Sequence, residues 1–122
     1  VDDRLLPTCT EALSGQVALR EPRPASEGDV DDAFVDVLRD EDGLSWIRLT
    51  GADGRTAAVW MDESMDTWQA CTGDHLGVVE WRRTGLAAEP MSCIADAFRT
   101  GDRLVRLEPG ATHEVTWGIT LL

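Results

Sequence analysis

The sequence predicts an all-β protein, an antiparallel β-sandwich, on three observations. Apolar and polar residues alternate with period two through the closing stretch "HEVTWGITLL". A tight-turn sequence, "GADGR", separates two β-rich runs in mid-chain. Short strand-like segments broken by Gly, Pro and Asp recur elsewhere, and helix is expected only as one turn around Ile94 to Phe98.

Taken in order, "GQVALRE" (15–21) is the first strand-like segment. The Pro-rich "REPRPASEGD" (20–29) reads as a loop within one domain, because too little chain precedes it to make another. "DAFVDVLRDEDG" gives a strand that breaks at Asp42-Gly43. The strongest hairpin pairs Ser45 to Thr50 with Thr56 to Met61, where Asp53-Gly54 can supply positive φ. "DTWQACT" and "LGVVEWRR" read as two more strands. In "RLVRLEPGATH" a strand over Leu104 to Leu107 precedes a turn at Pro109-Gly110. The last strand sets Val115, Trp117, Ile119 and Leu121 against Glu114, Thr116, Gly118 and Thr120, the pattern of one buried face.

The bulk properties narrow the function. With 122 residues the chain is a single domain, 1–122, with a modest core. Its net charge of −12 argues against nucleic acid or an anionic membrane surface as partner. Three widely spaced cysteines, Cys9, Cys71 and Cys93, include no CxxC pair and read as reduced thiols of a cytoplasmic protein. His75 and His113 lack ligand spacing, so no metal is expected. No apolar run approaches the roughly 18 residues of a membrane helix, and no signal peptide is visible. The opening "VDDRLLPTCTEAL" has no methionine and reads as mid-chain loop, which suggests a truncated chain.

Among candidate site residues Glu89 comes first. It lies between "GLAA" and Pro90, whose ring biases it to an extended backbone. At a strand end with Met91 and Trp81 nearby, desolvation would tune it as a general base; the alternative is a surface glutamate in a turn. Asp31 and Asp32 in "GDVDDAF" read as an acidic loop entering a strand, or as carboxylates accepting sugar hydroxyls. "DEDG" (40–43) lacks the spaced ligands of a calcium loop and is a turn. Lone His75 and His113 read as solvated. The five tryptophans are expected mostly in the core, with sugar stacking the alternative. No Ser-His-Asp set, phosphate loop or dinucleotide fingerprint occurs.

Four stretches in order, "VALRE" with "VDDAF", "WQACTGDHL", "GLAAEPMSCIADAFRTGD" and "RLVRLEPGATHEVTWGI", resemble the carboxyl-terminal part of bacterial aldose 1-epimerases (galactose mutarotases). The resemblance implies a galactose mutarotase-like β-sandwich, of which this chain would be about half. It implies interconversion of α and β anomers of an aldohexose such as glucose or galactose, through acid–base ring opening without a cofactor. By the same resemblance Glu89 falls at the catalytic base and Asp31 at the aspartate that binds ring hydroxyls.

The sequence departs from that family where it holds no His-Pro-Tyr-type motif for the catalytic acid, and neither His75 nor His113 matches one. Cys9 stands after "LPT" where glycine is commoner, and Ile94-Ala95 where proline is usual. The isolated chain is therefore expected to be inactive, and to lack an amino-terminal half or self-associate through exposed edges. A non-catalytic carbohydrate-binding or interaction sandwich is the alternative.

Overall fold

In the computed structural model, residues 1–4, 6–12 and 20–122 are described, and six strands form two three-stranded antiparallel sheets. The strands are β1 (Asp31–Phe34), β2 (Ser45–Thr50), β3 (Thr56–Met61), β4 (Thr67–Cys71), β5 (Ala87–Met91) and β6 (Trp117–Leu121). One sheet has the order β1-β4-β5 and the other β2-β3-β6; neither closes into a barrel. The all-β expectation holds at this level. The strand expected over "GQVALRE" lies mostly outside the described residues.

The central hairpin forms over the expected residues. Ser45 pairs with Met61 and Thr50 with Thr56, and Gly54 takes φ +81 in the turn, where its amide donates to the Gly51 carbonyl at 3.0 Å. A side chain would be strained at that φ. The turn at Asp42-Gly43 also forms, with Gly43 at φ +79 and its amide donating to the Asp40 carbonyl at 3.0 Å, but the strand expected to run up to it ends at Phe34.

The sheets meet at a small core. Met61 from β3, Met65 from the following loop and Trp68 from β4 are buried, with Phe34, Val37, Ile47 and Val59 packed around them. Trp68 also donates its indole N–H to Ser45 Oγ at 2.9 Å, a hydrogen bond from one sheet to the other. Buried indole N–H groups need such partners, since leaving one unpaired costs about 1–3 kcal/mol.

Three expectations about strands are corrected. "LGVVEWRR" is not a strand; Val79–Trp81 forms one 3-10 turn, and Val79 and Trp81 are exposed. Arg83 pins the segment, donating to the Ala25 and Gly28 carbonyls at 2.7 Å each. Leu104 to Leu107 forms no regular element, although the following turn closes, with the Ala111 amide donating to the Glu108 carbonyl at 2.9 Å. The helical turn, α1, lies slightly later than expected, at Ala97–Thr100.

The third correction concerns β6. The strand forms, but Val115, Trp117, Ile119 and Leu121 are exposed, the last two at 69% and 81%. Register explains this. Trp117, Ile119 and Leu121 pair with Met61, Val59 and Ala57 and so share their face of the sheet. The other sheet covers that face over Met61 and leaves the β6 side open.

On the opposite face Trp60 lies over Gly118, where a Cβ would come within 2.7 Å of the indole. Trp46 packs against Trp60 at 6.4 Å between ring centroids, and the Arg48 guanidinium sits 4.6 Å over the Trp46 ring. No helix among the described residues is long and apolar enough to cross a membrane.

Candidate functional site

Pleating of the β1-β4-β5 sheet sorts its residues into two faces. Asp32, Phe34, Trp68 and Ala70 lie on the core-facing side, with Trp68 and Ala70 buried. The outer side carries Asp31 opposite Cys71, Cys71 opposite Ala87, and Gln69 opposite Glu89. Strand alternation thus places Asp31, not Asp32, on the face that carries Glu89. The two sequence-predicted site residues sit two strands apart, about 10 Å across the sheet, and offset by about 7 Å along it.

Gln69 stands between them. Its Nε2 donates to Asp31 Oδ1 at 3.1 Å, and its backbone is paired with that of Glu89. Glu89 itself is exposed and lies inside β5 rather than at a strand end, so the enclosure expected from Met91 and Trp81 is not formed around it. Pro90 fits there because β5 is an edge strand, where one ladder donor can be dispensed with.

The loop after β4 brings a histidine back onto this face. Gly73 has φ +75, and the Leu76 amide donates to its carbonyl at 3.1 Å, closing a turn. Thr72 extends the β1–β4 pairing: its amide donates to the Val30 carbonyl at 2.8 Å, and its Oγ1 accepts from the Val30 amide at 3.1 Å. The Thr72 hydroxyl also bonds Asp74, which accepts from Arg83 Nε at 2.6 Å. The Thr72 hydroxyl first, and then the Arg83 guanidinium, hold the Asp74 carboxyl below the usual carboxylate range.

That loop sets His75 Nδ1 3.3 Å from Asp31 Oδ2 and 3.8 Å from Cys71 Sγ. The Cys71 sulfur accepts from the Gly73 amide at 3.3 Å, but burial pushes its thiol pKa up, against the lowering effect of that amide. A thiol so raised is a poor nucleophile near neutral pH. All three cysteines are free.

Beside this cluster lies an open hollow of about 360 Å³, lined by Cys71, His75, Leu76, Trp81, Leu86 and Ala87 among others. Trp81 is 64% exposed at its wall. His113 is exposed and away from these contacts.

Sequence reasoning treated His75 as a lone loop residue and did not single out Gln69 or Cys71. Alternation within "DTWQACT" was the available signal for Gln69 and Cys71 sharing a face. The Cys-x3-His spacing of "CTGDH" was the signal for the other pair. What linear sequence did not carry was the β1–β4 register, which sets Asp31 across from Cys71. Comparison with protein-family models, curated proteins and solved structures returned no match.

Proposed function

We propose that the outer face of the β1-β4-β5 sheet is the sugar-binding side of an aldose 1-epimerase-type site, and that this chain contributes the base half of it. The observation that carries the reading is the shared face of Asp31 and Glu89, with Gln69 between them and hydrogen-bonded to Asp31. It joins the resemblance of the four ordered stretches to that family. The site binds an aldohexose such as glucose or galactose in its cyclic form, without a cofactor, in the cytoplasm.

The chemistry follows from what carboxylates do. Asp31, already oriented through Oδ1, accepts hydrogen bonds from ring hydroxyls. Glu89 accepts the proton of the C1 hydroxyl as the ring opens to the aldehyde. Rotation about C1–C2 and reclosure then give the other anomer. Trp81, exposed on the wall of the neighbouring hollow, offers an apolar ring face to the sugar. The acid that protonates the ring oxygen has no match in this sequence, so catalysis needs residues from elsewhere.

Titration calorimetry with glucose and galactose tests the reading. Binding is expected to survive Glu89→Gln and to disappear in Asp31→Ala; binding indifferent to Asp31 counts against it. By polarimetry the chain alone should leave fresh α-glucose at its spontaneous rate. Supplying a segment with the family's His-Pro-Tyr-type motif should restore mutarotation, and Glu89→Gln should then reduce it by about 10²–10⁴-fold.

A further inference from the structure

We propose that Asp31, Cys71 and His75 together form a zinc(II) site with three protein ligands and a fourth position open to solvent. The proposal rests on where three donor atoms converge and does not depend on the sugar-binding reading.

One oxygen, one sulfur and one nitrogen donor from these residues all lie within 4.8 Å of one another. Tetrahedral zinc, with bonds near 2.0–2.1 Å to nitrogen and oxygen and 2.3 Å to sulfur, requires about 3.3 Å between N and O donors and about 3.6 Å between N and S. His75 Nδ1 is 3.3 Å from Asp31 Oδ2 and 3.8 Å from Cys71 Sγ. Both distances from His75 Nδ1 thus lie within a few tenths of an ångström of the tetrahedral values. The Asp31 oxygen and Cys71 sulfur, within 4.8 Å of each other, close onto the same point as the ion binds.

The orientation separates this reading from a nucleophilic relay. In a Cys-His-Asp relay the imidazole uses one ring nitrogen for the thiol and the other for the carboxylate. Here thiol and carboxylate face the same nitrogen, Nδ1. That is the geometry of ligands gathered around a point.

The surrounding hydrogen bonds suit the same role. Gln69 occupies Asp31 Oδ1 and leaves Oδ2 toward His75. The Gly73 amide points at the Cys71 sulfur, where it stabilises the thiolate that remains after the thiol proton passes to solvent on metal binding. Such outer partners typically fix ligand orientation and raise metal affinity. Thr72, Asp74 and Arg83 hold the loop that carries His75. Mixed N, O and S donors in a tetrahedral set favour zinc over the hard cations magnesium and calcium.

The test uses the 122-residue chain carrying Cys9→Ser and Cys93→Ser, so that Cys71 is the sole thiol. Cobalt(II) added as a zinc surrogate should give thiolate-to-cobalt charge-transfer absorption and the visible bands of tetrahedral cobalt, saturating at one ion per chain. Zinc should displace it. Calorimetric zinc affinity should fall by at least about tenfold in Cys71→Ser and in His75→Ala, and by less in Gln69→Ala, which only positions Asp31. His75 is exposed, so its replacement leaves the fold intact and keeps the comparison valid. Absence of the thiolate band in the folded protein overturns the proposal. So does zinc affinity within about twofold of the parent in both Cys71→Ser and His75→Ala.

Discussion

Asp31 uses its two carboxylate oxygens differently, and that division makes it the pivot of the outer face. Oδ1 is held by Gln69 at 3.1 Å, whereas Oδ2 faces His75 at 3.3 Å. Gln69→Ala removes a hydrogen bond to a charged acceptor. It should weaken monosaccharide binding by about 1.5 kcal/mol, or roughly tenfold, measured by calorimetry. Elsewhere at this scale Gly118 is constrained by the Trp60 indole, which leaves no room for a Cβ. Gly118→Ala should therefore lower the unfolding free energy by about 1–3 kcal/mol in urea titrations, whereas an unchanged midpoint would show that the ring moves freely aside. Glu89 stands out as a candidate in "AAEPMS" itself, whereas in "VDDAF" the choice of Asp31 over Asp32 comes only from the family resemblance, and it takes the β1–β4 register to show that Asp31 shares the face of Glu89. The contact of His75 with both Asp31 and Cys71 was not legible, because it is made by pairing between strands about 40 residues apart in sequence.

At the scale of elements, turns are where local chemistry decides structure, and here they are set largely by aspartates. Asp40 accepts the Leu44 amide at 2.9 Å, the Asp42 amide at 3.1 Å and the Trp46 indole at 2.7 Å. The Leu44 amide first, then the Trp46 indole, lower its pKa. Arg55 lowers that of Asp53 in the hairpin turn, and Ser64 that of Asp62. Groups depressed in the folded state contribute stability that is present above the unfolded value, about 3.9 for aspartate, and lost as pH falls through the lower folded values. Unfolding midpoints should thus be flat from neutral pH to about 5 and fall below about 4. A midpoint that rises on acidification would contradict these turn contacts. The same turn chemistry explains why the Ser45–Met61 hairpin was legible. "LGVVEWRR" has strand-like residues too, but its fate depends on distant contacts such as those of Arg83 with the Ala25 and Gly28 carbonyls, which composition does not encode.

The whole molecule has an unbalanced surface: one sheet face is closed around Met61 and Trp68, and the same face continues into exposed Trp117, Ile119 and Leu121. Period-two alternation correctly identified those residues as one face, while their exposure depends on how far the second sheet extends. An apolar strip beside an edge strand favours association. Size-exclusion chromatography should show the chain eluting ahead of a monomer at micromolar concentration. Ile119→Lys should shift it toward the monomer; a stable monomer from the outset would contradict this expectation. The outer face of the other sheet, with Asp31, Gln69 and Glu89, lies apart from this strip and is the surface assigned to the sugar. The most direct test is amide NMR of the 122-residue chain titrated with galactose. Shift changes should cluster at Asp31, Gln69, Cys71, His75, Trp81 and Glu89 and vanish in Asp31→Ala. Saturating shifts confined to β2, β3 and β6, or none at any accessible concentration, would contradict it.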